Sequence, residues 1–260
     1  MDSSASGSPA YRRPVTGAEI AIVVGASMLG AFVKSVTGMG YPLIAVPLIT
    51  LALGIEEAVV IVALPNLVAN ATLCFGARDG RSASRDLPAL VGFGFVGAFL
   101  GTYALVSVPE EPLLIALALT IVGFVFHFLR SPDLRVDPET SRRWSPVVGG
   151  FAGVMQGAVG VSGPVVATWM HGYRLPKQAY VFSVTAIFGV SGGVQLALLL
   201  AAGKMTLERA GVAALALVAV LVVMPFGTRL RARLGGPGFE RAVLGVLIAS
   251  GISLIVRVVA

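Results

Sequence analysis

The side chains with the clearest chemistry in this sequence are amides and one lysine that fall within strongly apolar stretches. The only two asparagines, Asn66 and Asn70, lie four residues apart on the stretch 57–76. This spacing places both amides on one face of a helix, where they either contact a ligand or join two helices. Lys34 is the one basic residue well inside an apolar stretch, and a buried ammonium there usually marks a function. These residue types favour the binding of an anion.

Two glycine-rich segments that end in proline interrupt apolar regions. Residues 37–42 (Thr-Gly-Met-Gly-Tyr-Pro) break the region 18–54. Residues 160–164 (Gly-Val-Ser-Gly-Pro) break the region 147–170. Because proline lacks a backbone donor and glycine permits positive φ, a helix ends at each break and leaves backbone groups free. Such breaks either kink packed helices or, in secondary transporters, meet near the membrane midplane and bind substrate. Two matched breaks favour the second interpretation.

The candidate binding residues lie in the breaks, beside them, or on polar helix faces expected to point towards them. They are Lys34, Thr37, Gly38, Gly40, Asn66, Asn70, Gln156, Gly160, Ser162, Gly163 and Gln195. No Asp or Glu falls in the middle of an apolar stretch, so a cationic substrate would lack its usual counter-charge. An anion held by helix N-termini, backbone N–H groups and amides needs no carboxylate.

The elements that must position these residues are membrane-spanning helices. Of the 260 residues, 56% are hydrophobic and only 12% are charged, against about 25% charged in soluble domains. A span needs about 20 apolar residues, and six uninterrupted stretches qualify: 57–76, 87–106, 112–129, 178–202, 210–226 and 239–258. The single cysteine, Cys74, excludes a disulfide framework and a cysteine-rich metal site, and we expect no cofactor.

The order of these elements indicates an internal duplication. A broken segment and three spans are followed by a second broken segment and three more spans. We expect a disordered tail over 1–16, a first repeat over 17–129, a linker over 130–145 and a second repeat over 146–260. If each broken segment returns to its starting side, three spans per half invert the second repeat. The predicted fold is therefore an all-α polytopic membrane protein with two inverted repeats, each a re-entrant helical hairpin plus three transmembrane helices.

The distribution of basic residues predicts the orientation. Most lysines and arginines fall in the loops near 78–85, 130–143, 174–177 and 229–241, which places these loops in the cytoplasm and both termini outside. The net charge of +6 fits such loops, and no nucleic-acid partner is expected. Only three of the 19 basic residues are lysines, a bias that is typical of a GC-rich, bacterial genome. The expected partners are a small anion and the bilayer, with a coupling ion (H⁺ or Na⁺) and a homodimer left open.

Two alternative functions follow from the same residues. The Gly-Val-Ser-Gly run at 160–163 matches the pattern around the serine of rhomboid intramembrane proteases. That enzyme needs a histidine base on a later span, and no histidine follows His171. An anion channel is the other alternative, although the sequence contains no ring-forming repeat of charges or carbonyl motif.

Several of these motifs resemble the sulfite exporter TauE/SafE family of membrane permeases. The resemblance lies in residues 30–32, 37–42 with Pro47, 65–70, 149–153 and 160–164. It implies a bacterial inner-membrane carrier, and not an enzyme, for sulfur oxyanions or small organosulfonates such as sulfite or sulfoacetate. The expected mechanism is alternating access around an anion bound between the two breaks.

Overall fold

The computed structural model describes residues 15–37, 40–130 and 135–234, together with helical positions at 245, 248, 249, 252, 253 and 256. Helices make up nearly all of the three continuous ranges. They are α1 (Gly17–Thr37), α2 (Tyr41–Leu53), α3 (Ile55–Gly76), a short 3-10 helix (Arg78–Ala83), α4 (Leu87–Ser107), α5 (Glu110–Arg130), α6 (Pro138–Val159), α7 (Gly163–Gly172), α8 (Lys177–Ala201) and α9 (Leu207–Leu234).

The all-helical, multi-pass character predicted from composition is confirmed. Five helices among the described residues are long and apolar enough to cross a membrane: α1, α3, α4, α8 and α9. The stretch predicted as a span over 112–129 forms α5. The predicted tail lies almost entirely outside the described residues, and so does most of the predicted span over 239–258.

Both predicted helix breaks are present. Helix α1 ends at Thr37, and α2 begins at Tyr41 after Gly40, whose φ is 107°. Helix α6 ends at Val159 and α7 begins at Gly163, with a φ of 72° at Gly160. Only glycine adopts such left-handed angles without strain, so these two positions set the direction in which each chain leaves its helix. We refer to α1 and α2 as the first broken pair and to α6 and α7 as the second broken pair.

The first broken pair starts and finishes at the same place. Val15 and Glu19 at the start of α1 line one surface cavity together with Ala52 and Leu53 at the end of α2. Glu57, in the first turn of α3, lines the same cavity. Both ends of this pair therefore lie beside the beginning of α3.

The second broken pair also starts and finishes in one place, beyond the other end of α3. The Val136 amide, just before α6, donates to the Gly172 carbonyl oxygen at the end of α7 over 3.0 Å. The neighbouring Tyr173 hydroxyl donates to Asp86, which lies between the end of α3 and the start of α4. The ends of the two broken pairs therefore lie near opposite ends of α3.

Polar side chains cap the first helix of each broken pair. Thr16 and Glu19 form a reciprocal capping box at α1, with the Thr16 amide 2.8 Å from Glu19 Oε2 and the Glu19 amide 3.3 Å from Thr16 Oγ1. At α6, Asp137 Oδ1 accepts hydrogen bonds from the Glu139 and Thr140 amides, each 3.0 Å long. The hydrogen bonds from Thr140, followed by that from the Glu139 amide, lower the pKa of Asp137.

Glycines allow α4 and α6 to pack backbone to backbone. A Cβ atom on Gly153 would overlap the Gly94 carbonyl oxygen, and one on Gly97 would overlap the Gly150 carbonyl oxygen. Small residues permit this close approach between helices in membranes, where lipid removes most of the hydrophobic drive for association. The contact fixes the long helix of the second broken pair against α4.

Candidate functional site

A small cavity lies where the two breaks meet beside the middle of α3. Its lining combines four polar side chains with apolar and glycine positions: Lys34, Gly40, Pro42, Leu43, Asn66, Gln156, Val161, Ser162, Gly163 and Phe188. The volume is about 10 Å³, which is the space of about one water molecule. Residues of both breaks line it, so the expectation that the breaks come together is met.

A first series of hydrogen-bonded polar side chains, which we call the first polar chain, runs from α1 to α3. Lys34 Nζ donates to Asn70 Oδ1 over 2.7 Å, and Asn70 Nδ2 donates to Asn66 Oδ1 over 3.1 Å. All three side chains are buried, with at most 2% of each exposed. Asn66 Oδ1 is thus used as an acceptor, whereas Asn66 Nδ2 donates to no described residue. Asn66 also lines the cavity. The chain therefore orients one amide donor and one ammonium towards the space between the breaks.

The second polar chain joins the second break to α8. Ser162 Oγ donates to Gln156 Oε1 over 2.9 Å, and Gln156 Nε2 donates to Gln195 Oε1 over 3.2 Å. Gln195 Nε2 in turn donates to the carbonyl oxygens of Gln156 and Gly157 at 2.7 and 3.1 Å. Both carbonyls belong to the last turn of α6, and that of Gln156 also accepts from the Gly160 amide over 2.9 Å. Gln195 therefore adds a side-chain donor at the end of α6 and holds Gln156 at the cavity.

The cavity carries positive electrostatic character. Lys34 is its only charged lining residue, and no described carboxylate pairs with it. The N-termini of α2 and α7 also open at the breaks, and neither N-cap residue, Gly40 or Ser162, caps its helix through a side chain. Uncapped first-turn amides and the helix dipole favour an anion at such a position.

The structure separates the predicted site residues into those at the cavity and those behind it. Lys34, Gly40, Asn66, Gln156, Ser162 and Gly163 line the cavity. Asn70 and Gln195 sit one hydrogen bond further back, where they hold Lys34 and Gln156. Gly160 packs against the side chains of Val46 and Val59. The Thr37 side chain and Gly38 lie outside the described residues.

Phe188 lines the cavity and was not among the residues predicted from the sequence. Its ring centroid lies 5.8 Å from Lys34 Nζ, within the range of a cation–π interaction. The sequence signal that could have located it is a shared interval: Phe188 follows Asn66 by the same number of residues that separates Pro164 from Pro42. Gln156 follows Lys34 by that same interval.

Ion pairs tie the start of α3 to the turn between α8 and α9. Arg209 Nη2 lies 2.9 Å from Glu56 Oε1, and Arg209 Nε donates to Glu57 Oε2 over 2.8 Å. Lys204 Nζ is 3.0 Å from the other oxygen of Glu56. We call these four residues the carboxylate end. Because Arg209 is buried, loss of one partner would leave an uncompensated charge.

A hydrogen-bond network centred on Tyr173 joins the two helices of the second broken pair to each other and to the segment before α4. The Tyr173 hydroxyl lies 2.8 Å from Ser145 Oγ, accepts from Trp169 Nε1 over 2.8 Å, and donates to Asp86 Oδ2 over 3.3 Å. The Arg85 guanidinium stacks 4.0 Å from the centre of the Tyr173 ring. Burial raises the pKa of the Tyr173 phenol. We call this network the tyrosine end.

Two further chemistries find little support in the geometry. The Ser162 hydroxyl donates to an amide oxygen, and an amide is not a base that would activate a serine nucleophile. Among the described residues, no group of three or more His, Cys, Asp or Glu side chains is arranged to hold a metal ion.

The match to known families covers almost the whole chain. No curated protein and no solved structure matches it. Residues 23–254 match the family described as Sulfite exporter TauE/SafE, a range that contains both breaks and every residue of the cavity. The chain therefore belongs to the sulfite exporter TauE/SafE family, whose members are membrane transporters of sulfur anions and not enzymes.

Proposed function

We propose that the protein is a secondary transporter that moves a small sulfur oxyanion or organosulfonate, such as sulfite or sulfoacetate, across a bacterial inner membrane. The observation that carries the proposal is the cavity between the two breaks. There, one buried ammonium and several neutral donors converge, and no carboxylate is among the described lining residues. A bound anion would gain charge-assisted hydrogen bonds without repulsion from a neighbouring acid.

Each lining residue has a distinct part in this proposal. Lys34 supplies the counter-charge, and Asn66 Nδ2 supplies a donor. The Ser162 hydroxyl donates to Gln156 Oε1 in this structure and would turn from it to a bound anion. Gly40 and Gly163 lack side chains, so the anion can approach the backbone amides of α2 and α7 closely. The remaining predicted residues support these groups from behind or complete the backbone of the breaks: Thr37, Gly38, Asn70, Gln156, Gly160 and Gln195.

The size of the cavity supports a mechanism of alternating access. About 10 Å³ is too little for an anion with several heavy atoms, so the breaks must separate when substrate enters. In transporters built from repeats, one half moves against the other around a fixed site. The ammonium and the amides then stay with the substrate while the path changes sides. A coupling ion, H⁺ or Na⁺, and association of two copies through small residues belong to the same proposal.

The arrangement of the broken pairs supports two inverted repeats over 17–129 and 146–260, joined by the predicted linker 130–145, of which residues 138–145 already belong to α6. Each pair starts and ends in one place, and the two places lie at opposite ends of α3. One interval relates Pro42 to Pro164 and Lys34 to Gln156. Re-entrant pairs that enter from opposite faces would produce this geometry.

The charges at the two ends support a cytoplasmic position for the tyrosine end. The segments around it contain many basic residues, including Arg78, Arg81, Arg142 and Arg143, whereas the first broken pair ends beside several glutamates. Single cysteines at Ser84 and Thr140, in a Cys74→Ser background, should react with impermeant maleimide only from the cytoplasmic side. Labelling from outside would reverse the orientation and place both termini in the cytoplasm.

Flux measurements test the site. The purified chain in proteoliposomes should take up radiolabelled sulfite, and Asn66→Ala and Ser162→Ala should each weaken apparent affinity about ten- to 100-fold, as expected for loss of one hydrogen bond to a charged group. Thr120→Ala is the control, because Thr120 only donates to a carbonyl within its own helix. Unchanged affinity in both site variants would overturn the proposed site.

A further inference from the structure

Part of the cavity between the breaks is apolar, and its largest apolar side chain is Phe188 of α8. The ring is 5% exposed and belongs to a buried cluster that includes Val184 and Ile187. Pro42 and Val161 continue the apolar lining. A substrate in this cavity would therefore have donors on one part of its surface and no hydrogen-bonding partner on the part that meets Phe188.

The position of Phe188 in the proposed repeats indicates how the two sides of the cavity come to differ. Phe188 follows Asn66 by the same number of residues by which Gln156 follows Lys34, so Phe188 is the counterpart of Asn66. Both line the cavity, yet Asn66 presents an unused amide donor and Phe188 presents a ring. The two halves thus provide a polar and an apolar surface from equivalent places.

We infer that Phe188 determines specificity by covering the fourth substituent of a bound sulfur anion. Sulfite has three oxygens and a lone pair, a sulfonate has three oxygens and a carbon, and sulfate has a fourth oxygen. The Lys34 ammonium, which donates only one of its three protons to Asn70, and the Asn66 Nδ2 amide can together pair with three oxygens. The fourth position then meets the ring. The ring tolerates a lone pair or a small carbon group there, but it offers no hydrogen-bond donor to a fourth oxygen. The inference rests on the proposed function and deepens it.

The same ring limits the size of that substituent. Phe188 and Val161 are both buried, so a long alkyl group has no space beside the ring even when the breaks have separated enough to hold the sulfur and its oxygens. Replacement by alanine would open on the order of 100 Å³, comparable to cavities that bind small apolar ligands. Replacement by asparagine would put at position 188 the donor that the other half already has at position 66.

Competition against sulfite uptake in proteoliposomes tests the inference. In the wild-type chain, methanesulfonate should compete, whereas sulfate and hexanesulfonate should each be at least about tenfold weaker than sulfite. Phe188→Ala should improve the apparent affinity for hexanesulfonate about tenfold relative to that for sulfite. Phe188→Asn should improve the apparent affinity for sulfate by a similar factor. Phe95→Ala, at a half-exposed ring on α4, is the control and should leave both ratios unchanged.

The outcomes distinguish this inference from the proposed function. If the wild-type chain neither binds nor transports sulfite, the proposed function fails. If it transports sulfite but Phe188→Ala and Phe188→Asn keep the wild-type ratios, the role of Phe188 is overturned. Should either variant fail to elute as a folded species, Phe188→Leu keeps most of the apolar volume. Phe188→Leu must improve the apparent affinity for hexanesulfonate relative to sulfite at least threefold. If this ratio of affinities equals that of the wild type, the inference is overturned.

Discussion

The two broken pairs differ in what they bring to the cavity. The first pair and its neighbour α3 contribute the charge, through Lys34, and the free amide of Asn66. The second pair contributes Gln156 and Ser162, which are neutral and already bonded to each other. Positions 34 and 156 would correspond in the proposed repeats, and they differ in charge. Under that proposal, only one of two corresponding groups supplies the charge that recognises an anion.

The pairs also differ in how they are held. The second pair packs on α4 through backbone atoms, because glycines on both helices remove the side chains between them. The first pair packs on α9, where the space above Gly227 is filled by the Ser35 side chain. A side chain can rotate and a backbone cannot. We therefore expect the first pair to tolerate rearrangement and the second to act as the fixed frame.

The strongest test of this difference is a methyl group added to each contact. Gly153→Ala should destabilise the protein by at least about 3 kcal/mol, because the new Cβ overlaps the backbone of Gly94. Gly227→Ala should cost less, about 1–2 kcal/mol, because the Ser35 hydroxyl can rotate away from the new Cβ although the Ser35 Cβ, which it would also overlap, cannot. Thermal unfolding followed by size-exclusion fluorescence measures both.

Gly150→Ala is the matched control on α6. It lies three residues from Gly153, yet its Cβ would have no neighbour closer than 4.0 Å. The substitution should be neutral or stabilise the helix by up to about 1 kcal/mol. Equal destabilisation by Gly153→Ala and Gly227→Ala would remove the distinction between a fixed and a deformable pair.

The second test exchanges the charge between the pairs. Lys34→Gln should weaken sulfite affinity by about 100-fold, because a hydrogen bond to a charged group contributes about 1.5–3 kcal/mol. Adding Gln156→Lys to that variant should restore part of the affinity, because an ammonium again lines the same cavity. Uptake in proteoliposomes measures the loss and the recovery. Wild-type affinity in the single variant would exclude Lys34 from anion recognition.

The sequence was sufficient to predict the helices, both breaks and most of the cavity. Glycine and proline determine where a helix ends, and the amides and Lys34 are rare polar residues in apolar stretches, so local physics locates them. The family match agrees with the resemblance seen in these same motifs.

The remaining features depend on contacts that no local pattern encodes. From the sequence alone, Phe188 cannot be distinguished from other buried aromatic residues. It stands out only when the interval between Lys34 and Gln156 is counted from Asn66. The placement of Gln195 behind Gln156 depends on the packing of α8 against the end of α6, because only then does Gln195 reach the carbonyls of Gln156 and Gly157. Tyr173 likewise gains its partners from three separate segments of the chain.

A third, smaller effect compares the buried tyrosine of each pair. Tyr173→Phe removes a hydroxyl that Trp169, Ser145 and Asp86 all contact, and it should cost about 1–3 kcal/mol. Tyr41→Phe removes a single 3.3 Å contact with Ser27 and should cost about 1 kcal/mol or less. Melting temperatures of the two variants give the comparison. A larger loss for Tyr41→Phe would mean that the first pair, and not the second, is held more firmly by its tyrosine.

The smallest effect concerns the helix caps. Asp137 has a pKa lowered below its ordinary value of 3.8 by its hydrogen bonds at the start of α6. A carboxylate with a lowered pKa stabilises the folded state fully above that ordinary value, and this contribution disappears as pH falls through the lower folded pKa. Hydrogen-exchange protection of the Glu139 and Thr140 amides should therefore decrease in strong acid, after correction for intrinsic exchange. Asp137→Asn retains an oxygen that caps the helix but does not titrate, so its protection should stay constant over the same range. If the wild type and Asp137→Asn lose protection in parallel, the acid sensitivity of α6 arises elsewhere than at its cap.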